Sequence, residues 1–355
     1  MRSIREIKNL KGKTVLARVD FNVPIKNGKV LDAFRIKKAI PTIKFLEKKG
    51  AKIILISHLG RDGSESLEPI IKLFFKISKC SKTQVSFFEN IRKFDGEAKN
   101  SQSFTKDIVK LGDIYVNEAF SVSHRAHSSI VGLPKYLPSY AGFQFEEEIK
   151  NLSKVFKSLK HPFLFILGGA KFETKLPIIK KYLKIADNLF IGGAILNDFL
   201  KAKGYEIGQS LTSDKNYGIE KICNNKKIIL PEYVIVKTES GKYVEKSIKA
   251  VLKTDYILDI GSKEIKTIKP YIKNAKLVVW NGPLGKYEAG GAKTTKEILK
   301  LVAQSKAESI IGGGDTVDLI SEMKMMNKFS FISTGGGATL DFLANGTLPG
   351  IKVLK

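Results

Sequence analysis

The sequence contains little cysteine and no segment with the character of a membrane anchor. Its two cysteines, Cys80 and Cys223, lie far apart in dissimilar contexts, which favours two separate thiols in a reducing compartment over a disulfide bridge. No apolar run reaches the roughly 18 residues that a transmembrane helix needs. The opening MRSIREIKNLKGKTV lacks the apolar core and cleavage site of a secretory signal. We therefore expect a cytoplasmic protein with no membrane contact.

Arginine is scarce and is confined to the first third of the chain. The net charge is +26, but lysine supplies most of it, scattered along helix-like segments whose charges face solvent. An anionic partner is the alternative reading, whether a nucleic acid, a membrane surface or a phosphorylated metabolite. Because the planar guanidinium grips carboxylate or phosphate in a way that lysine cannot, the arginines indicate one anion site. They are Arg2, Arg5, Arg18, Arg35, Arg61, Arg92 and Arg125.

Three common motifs are absent. No GxxxxGK[ST] loop occurs, since YEAGGAKTTKEIL has the wrong spacing, and this argues against a P-loop enzyme. No GxGxxG follows the first strand-like run, which disfavours a dinucleotide-dependent dehydrogenase. The pair in HRAH lacks a carboxylate or thiol companion at ligand spacing, so we do not assign a zinc site to it.

Short β-branched runs alternate with amphipathic helical patterns along the chain. Continuous apolar strands of this kind predict parallel sheets that are covered by helices on both faces. A Pro-rich loop, a charged amphipathic segment and Pro162 mark a boundary near residues 140–160. The fold class is therefore α/β, with two Rossmann-like domains joined by a helix and a hinge. The strand candidates include TVLARVDFNV, KIILISH, DIYVNEAF, FLFILGG, NLFIGG, YVIV, YILDIG, KLVVWNGP, SIIGGGD and FSFISTGGG.

Cations and histidines follow the predicted strands of the first half. Neighbouring parallel strands bring their carboxyl ends to one edge of the sheet, where ligands bind in open α/β folds. Cations gathered there repel one another unless an anion bridges them. The sequence thus predicts a site for a small anion, with hydrogen-bonding partners nearby. The residues are Arg18, Asp20, Asn22, Arg35, His58, Arg61, Arg92, His124, Arg125 and His127.

Glycines follow the predicted strands of the second half. A glycine at a strand end lets the main chain approach a ligand, and the start of the next helix favours phosphate. These loops, with Lys171 and Lys175, predict a cradle for a polyphosphate, and Asp315 is placed to hold Mg²⁺. Packing of tight turns is the alternative reason for the glycines. The loops are GGAKFETK, IGGAIL, WNGPLGKYE with Asn281, Pro283 and Glu288, GGGDT and STGGGAT.

Along nearly its whole length the chain resembles the phosphoglycerate kinase family. RVDFNVP, SHLGR, NEAFSVSHRAHSS, GGAKFETK, WNGPLGKYE, GGGDT and STGGGATLDFLANGTLPG occur in the family's order. The resemblance implies reversible, Mg²⁺-dependent phosphoryl transfer between 1,3-bisphosphoglycerate with ADP and 3-phosphoglycerate with ATP. It implies glycolytic or gluconeogenic use and closure of two half-sites about a hinge. The expected small-molecule partners are 3-phosphoglycerate and ATP or ADP, and the expected oligomeric state is a monomer.

The resemblance also implies site residues and domain bounds. Arg35, Lys171 and Lys175 would neutralise the moving phosphoryl group, Asp315 would bind the metal, and Lys175 and Glu288 would contact phosphates and ribose. The expected domains are 1–143 for phosphoglycerate, an interdomain helix 144–160, 161–335 for the nucleotide, and 336–355 returning to the first domain. Implied substrate contacts are Asp20, Phe21, Asn22, Arg35, His58, Leu59, Gly60, Arg61, Arg92 and Arg125, with a surrounding basic patch of Arg18, His124 and His127. Implied nucleotide contacts are Lys175, Asn281, Pro283, Glu288, Gly312, Gly313, Gly314, Asp315 and Thr316.

The sequence departs from the family pattern in the segment 208–259, which is short, and at Ala194, where a third glycine is common. Two other classes of function stay open at this point. A basic nucleic-acid-binding α/β protein would account for the charge, although no aromatic-studded basic loop or reader motif is present. An inactive relative is the other, and the presence of every matched charged position argues against it.

Overall fold

The computed structural model describes residues 1–157, 159–170, 172–213, 217–286 and 292–354. It forms two compact units: unit 1 is Met1–Lys150 with Asn345–Lys355, and unit 2 is Asn151–Ala344. The functional domain bounds given above remain predictions. Among the described residues, every helix is too short or too polar to span a bilayer.

Unit 1 is built on a five-stranded parallel sheet. The strand order is β5-β4-β1-β6-β7. Its central strands are buried, because helices cover the sheet and leave few positions for polar residues. The elements are β1 Thr14–Arg18, β2 Ile25–Lys26, β3 Lys29–Val30, α1 Phe34–Lys48, β4 Lys52–Ile56, α2 Glu68–Ser78, β5 Val85–Phe87, α3 Asp95–Ala98, α4 Gln102–Val109, β6 Ile114–Asn117, β7 Ser139–Ala141 and α5 Phe143–Lys157, whose last residues belong to unit 2.

The register of this sheet aligns the carboxyl ends of its three central strands. Arg18, the last residue of β1, lies opposite Ile56 of β4 and Asn117 of β6. Immediately beyond it, Phe21 turns inward and packs on Phe74 of α2 with ring centroids 5.9 Å apart. This apolar anchor fixes the chain as it leaves β1 and so fixes the polar residues on either side of it.

Unit 2 is built on a six-stranded parallel sheet. The strand order is β10-β9-β8-β14-β15-β16. Leu167, Asn281 and Gly312 end β8, β14 and β15 in register, so the loops that follow start side by side. The elements are β8 Phe163–Leu167, α6 Phe172–Ile185, β9 Asn188–Ile191, α7 Ala194–Ala202, β10 Ile228–Ile229, β11 Tyr233–Lys237, β12 Tyr243–Ser247, β13 Tyr256–Ile260, α8 Glu264–Asn274, β14 Leu277–Asn281, α9 Lys293–Gln304, β15 Glu308–Gly312, α10 Gly314–Glu322, β16 Phe331–Ile332 and α11 Gly337–Asn345.

Two predicted strands do not join this parallel sheet. The runs YVIV and YILDIG form β11 and β13, which pair antiparallel with each other in a separate sheet of order β12-β11-β13. A tight turn closes β11 onto β12, with Thr238 N–H donating to the Lys242 carbonyl at 2.9 Å. This short turn explains why β12 pairs antiparallel with β11, since a parallel crossover needs about a dozen residues or more.

The C-terminal segment belongs to unit 1. A short helix, α12, spans Pro349–Lys352, and Gly350 N–H donates to the Ser123 carbonyl at 2.9 Å. A Cβ on Gly350 would lie 2.7 Å from the Ser123 side chain, so only glycine permits this approach. The segment therefore packs beside the loop that carries His124 and Arg125.

Candidate active site

Where the strands of the unit 1 sheet end, the Asp20 carboxylate accepts several hydrogen bonds. Asp20 Oδ2 lies 2.6 Å from Nη1 of Arg35, at the start of α1, and also accepts the Ser121 hydroxyl. Asp20 Oδ1 accepts the Asn22 N–H at 3.1 Å, and Asn22 Oδ1 accepts the Gly60 N–H at 3.0 Å. The loops after β1, β4 and β6 are thus joined through two short polar side chains.

Electrostatics keep Asp20 ionised. Burial alone would raise the pKa of this carboxyl, but the positive charge of Arg35, with the Ser121 and Asn22 hydrogen bonds, lowers it to about 2. The ionised carboxylate forms an ion pair with the planar guanidinium of Arg35. It holds the guanidinium at the edge of the sheet, where Arg35 is still 27% exposed.

His58 lies inside the same cluster and is neutral. Burial, followed by the charges of Arg18, Arg92 and Arg125, lowers the pKa of its imidazole to about 3. Arg18 Nη2 lies 3.2 Å from His58 Nδ1. Because a guanidinium can only donate, Nδ1 must accept, and the imidazole proton therefore resides on Nε2. The ring offers one N–H donor without adding a further positive charge.

The loop after β5 brings Arg92 to this edge. The buried Asn90 side chain fixes it, accepting the N–H of Leu59 and of Arg92 at 3.2 Å each. Nη1 of Arg92 then donates to the Gly60 carbonyl at 2.5 Å. Burial, followed by the neighbouring Arg125, lowers the Arg92 pKa, so two guanidiniums face the same space. Arg61 and Arg125 are exposed, and Arg125 Nε lies 3.4 Å from His124.

Arg18 is misplaced in the predicted basic patch. It is only 2% exposed, and its guanidinium is bound to Ser129 at 2.9 Å, to the Val19 carbonyl and to His58. His127 is likewise drawn inward, with Nδ1 3.6 Å from the buried Glu97. A buried guanidinium needs such partners, so Arg18 supports the site from beneath and does not form a solvent-facing surface.

Three further predicted contacts can act only through the main chain. The side chains of Phe21 and Leu59 are buried in the apolar core, and Gly60 has no side chain. Gly60 has φ +70°, a backbone conformation that side-chain-bearing residues rarely adopt, and a Cβ there would displace the Glu65 carboxylate, 2.2 Å away. The turn after β4 therefore favours glycine.

In unit 2 most strand-end glycines serve contacts between loops, and this corrects part of the predicted cradle. Gly169 N–H donates to the Pro283 carbonyl at 2.8 Å, and Gly193 N–H to the Leu284 carbonyl at 2.8 Å. A Cβ on Gly193 would lie 2.3 Å from the Gly169 nitrogen. The alternative of packing thus holds for Gly192 and Gly193, whose amides are already used. Similar bonds occupy the amides of Gly168, Gly192 and Gly282.

The glycine at the start of α10, Gly314, is not packed against a neighbouring loop, unlike those described above. Gly313 precedes the helix with φ +96° and no side-chain cap, and a Cβ on Gly314 would meet nothing within 4 Å. Asp315 is exposed in the first turn. The Thr316 hydroxyl is buried and has no hydrogen-bond partner among the described residues. An uncapped helix start with open space in front of it is suited to a phosphate group.

A cavity of about 230 Å³ lies along this edge of unit 2. Its walls include Gly169, Gly193, Leu211, Tyr256, Leu258, Asp259, Pro283 and Asp315. Lys175 of α6 is 6% exposed, and its Nζ donates to the Gly168 carbonyl beside the cavity. Asn281 is buried beneath the loops. A Cβ added to Gly312, the last residue of β15, would lie 3.0 Å from Asn281 Nδ2. Lys171 and Glu288 lie outside the described residues.

Sequence reasoning missed several residues that shape these sites. Ser121 contacts Asp20, and Glu118 is a buried carboxyl whose pKa burial raises to about 8. Asp259 lines the unit 2 cavity, and burial raises its pKa to about 7. Glu118 and Asp259 lie at or near strand ends, and that position could have been predicted from the sequence. Their burial could not, because it depends on packing between segments that are distant in the sequence.

These features define an α/β protein with a guanidinium-rich edge on one sheet and, on the other, a cavity beside an uncapped helix start. The sequence model of the family described as Phosphoglycerate kinase matches residues 4–87 and 72–346. A phosphoglycerate kinase of Coprothermobacter proteolyticus is 40% identical, with 100% of this chain and 98% of that protein covered. One of Pseudothermotoga lettingae is 41% identical over 99% and 97% respectively.

Solved structures agree with these sequence relatives. Phosphoglycerate kinase from Coxiella burnetii has a TM-score of 0.83 at 34% identity, covering 99% of this chain and 98% of that one. The enzyme from Pyrococcus horikoshii has a TM-score of 0.89 at 29% identity, covering 100% and 98%. The chain belongs to the phosphoglycerate kinase family. It is a phosphotransferase with a carboxyl group as acceptor, and the nucleic-acid-binding and inactive alternatives are not favoured.

Proposed function

We propose that the chain transfers a phosphoryl group reversibly between 1,3-bisphosphoglycerate and Mg-ADP, giving 3-phosphoglycerate and Mg-ATP. In this proposal the unit 1 edge binds the three-carbon acid, and the unit 2 cavity with the start of α10 binds the nucleotide. The observation that carries it is the environment of His58. Arg18, Arg92 and Arg125 all depress its pKa, so several guanidiniums face one small space. Asp20, which pairs with Arg35, and the buried Glu97, which interacts with Arg18 and Arg92, carry too little negative charge to balance these guanidiniums. An anionic substrate would complete the balance.

The residue roles follow from the chemistry of the donors. Arg92, Arg125 and the exposed Arg61 offer planar forks for phosphate and carboxylate, while His58 Nε2–H adds a neutral donor. Asp20 and the Asn22 side chain are suited to the hydroxyl group of the acid. In the direction that uses ATP, a carboxylate oxygen of the acid attacks the terminal phosphorus, the bond from that phosphorus to the oxygen bridging it to the β-phosphate breaks, and ADP leaves, so no protein nucleophile is needed. Arg35 and Lys175, with Lys171, would neutralise charge as the phosphoryl group moves.

The residues at α10 fit Mg²⁺ that arrives with the nucleotide. Mg²⁺ prefers oxygen ligands and is commonly held by one or two carboxylates together with substrate phosphates. Asp315 supplies the carboxylate, and the buried Thr316 hydroxyl next to it has no partner among the described residues. Within the described ranges no group of three or more His, Cys, Asp or Glu is placed to hold a metal by itself. When bound, Mg²⁺ would offset the charge of the phosphate oxygens.

Transfer in line requires the acid and the nucleotide to meet and water to be excluded, because water would hydrolyse the acyl phosphate. We propose that hinge closure of the two half-sites brings this about. We also propose that the enzyme works as a monomer in the cytoplasm. A single chain carries both half-sites, and Cys80 and Cys223 are free buried thiols, in keeping with a reducing compartment.

A coupled assay of ATP-dependent phosphorylation of 3-phosphoglycerate tests the proposal. Turnover should require Mg²⁺, stop on chelation and return when Mg²⁺ is restored. Calorimetry of each ligand alone should detect 3-phosphoglycerate and nucleotide binding independently. Absence of turnover with both ligands bound would refute the reaction, and failure of either ligand to bind would refute its assigned half-site.

A further inference from the structure

The cavity in unit 2 has a polar end and an apolar end. Asp315 and the start of α10 follow β15, whereas Ala194, Leu196 and Asn197 of α7 follow β9. Two strands, β8 and β14, separate β9 from β15. The two ends therefore stand roughly 14 Å apart, since neighbouring strands lie about 4.8 Å apart. A nucleotide whose phosphates lie at α10 would extend its base toward α7.

The α7 end suits an aromatic base rather than a sugar. Leu196, Leu211, Ile257, Leu258 and Leu284 line the cavity together with the Tyr256 ring. A ribose placed among these side chains would leave its hydroxyl groups without partners, which carries a desolvation cost. A purine ring instead buries apolar faces and needs polar partners only at its edge.

One polar side chain in this wall has an unused acceptor. Asn197 is 2% exposed, and its Nδ2 donates to the Leu211 carbonyl at 3.0 Å. That bond fixes the amide orientation, because only the NH₂ group can donate to a carbonyl. Oδ1 is therefore the remaining atom, and it has no hydrogen-bond partner among the described residues. A buried acceptor left without a donor costs about 1–3 kcal/mol, which a ligand donor can recover.

Asp259 is the carboxyl in the wall at this end, and main-chain N–H groups of the fold already donate to it, whereas Asn197 Oδ1 has no donor among the described residues. Asp259 Oδ1 accepts the Ile260 N–H at 2.8 Å, and the carboxyl also accepts from the Thr294 main chain. In an adenine nucleotide at neutral pH, only the 6-amino group and the ribose hydroxyls can donate. The apolar wall disfavours the hydroxyls, so the amino group is the donor that matches Asn197.

We propose that Asn197 is a specificity residue that accepts a hydrogen bond from the 6-amino group of the purine and so favours adenine over 6-oxo bases. The inference rests on the proposed nucleotide site and adds the group that reads the base. Inosine and guanine carry an oxygen at position 6, which would face Oδ1 acceptor to acceptor. A neutral hydrogen bond of ordinary net strength corresponds to a preference of about threefold to tenfold.

The test is a calorimetric titration with four ligands: ADP, 2′-deoxy-ADP, inosine diphosphate and purine riboside diphosphate. The last of these lacks the 6-amino group. In the unmodified enzyme we expect ADP to bind about threefold to tenfold more tightly than purine riboside diphosphate, and 2′-deoxy-ADP to bind like ADP. In Asn197→Leu, ADP and purine riboside diphosphate should bind alike. The control is Asp198→Asn, the next residue on α7, which accepts the Ser213 N–H and is not part of the cavity wall. That variant should keep the full preference.

Three results would overturn this inference while leaving the proposed function intact. The unmodified enzyme could bind ADP and purine riboside diphosphate equally, or Asn197→Leu could keep the full preference for ADP. Weaker binding of 2′-deoxy-ADP alone would place the contact at the ribose. If Asn197→Leu does not fold, the ligand series on the unmodified enzyme still decides the matter. Absence of all nucleotide binding would overturn the proposed function as well.

Discussion

Nη1 of Arg35 lies 2.6 Å from Oδ2 of Asp20, and this ion pair joins the start of α1 to the loop after β1. The same oxygen accepts the Ser121 hydroxyl, so the loop after β6 is tied to the pair. Arg35 also donates to the Asn22 carbonyl at 3.2 Å. The guanidinium is thus held at the carboxyl edge of the sheet by two partners on the loop after β1, and its position does not depend on a ligand.

Arg35→Ala should lower kcat about 10²- to 10³-fold, the range seen when one charge-stabilising donor is lost. Steady-state kinetics in both directions would measure this. Arg35→Lys is the control, because it keeps the charge but not the planar fork, and it should recover only part of the rate. Near-normal turnover of Arg35→Ala would refute the catalytic role.

Asp315→Ala should weaken binding of the Mg-nucleotide by about 10- to 100-fold, since a charged ligand group is worth about 1.5–3 kcal/mol. Binding of 3-phosphoglycerate should be unchanged. Calorimetry with each ligand separately gives both values. Asp318→Ala, three residues further along α10 on an exposed position, is the matched control and should leave both affinities intact. Equal effects of Asp315→Ala on the two ligands would contradict the separation into half-sites.

Gly193→Ala and Gly204→Ala form a matched pair at the two ends of α7. Both glycines have positive φ, +64° and +81°, and Gly193 also has ψ −163°, a region that is essentially restricted to glycine. Alanine therefore carries a backbone cost of about 1–3 kcal/mol at each. Only at Gly193 does the new Cβ meet main-chain atoms of Gly169 and Pro283. We expect both variants to lose stability and only Gly193→Ala to lose nucleotide affinity. Thermal denaturation and ADP titration would show this, and equal ADP affinity in the two variants would count against the loop-packing argument.

Glu118 should make stability depend on pH. Its carboxyl accepts the Thr42 hydroxyl at 2.6 Å and the Gln144 N–H at 3.1 Å. Burial raises the folded-state pKa to about 8 from 4.5. The folded state therefore binds one more proton than the unfolded state in this window. Its contribution is complete below pH 4.5 and is lost as pH rises through 8, at about 1.4 kcal/mol per pH unit.

Glu118→Gln removes this titration while keeping an oxygen acceptor, so its free energy of unfolding should fall less between pH 6 and pH 8 than that of the unmodified enzyme. Denaturant unfolding at several pH values in that interval is the measurement. Glu68→Gln, which removes an exposed carboxylate paired with Lys72 on α2, should retain the original slope. Parallel pH profiles for the unmodified enzyme and Glu118→Gln would show that Glu118 is ionised in the fold.

The sequence by itself determined the α/β class and the family, and it predicted the sheet edges at which ligands would bind. It did so because buried parallel strands leave continuous apolar runs, and because arginine and glycine occur where the main chain leaves those strands. The tertiary structure decided which members of each set are buried or bonded within the fold and which remain open to solvent. Arg18 follows the pattern of a surface cation yet is buried against Ser129 and His58. Gly193 follows the pattern of a phosphate loop, yet its N–H donates to the Leu284 carbonyl. Gly314, in contrast, faces open space. Asn197 carried no signal at all. Burial and hydrogen-bond satisfaction depend on contacts between segments far apart in the chain, and no local pattern encodes them.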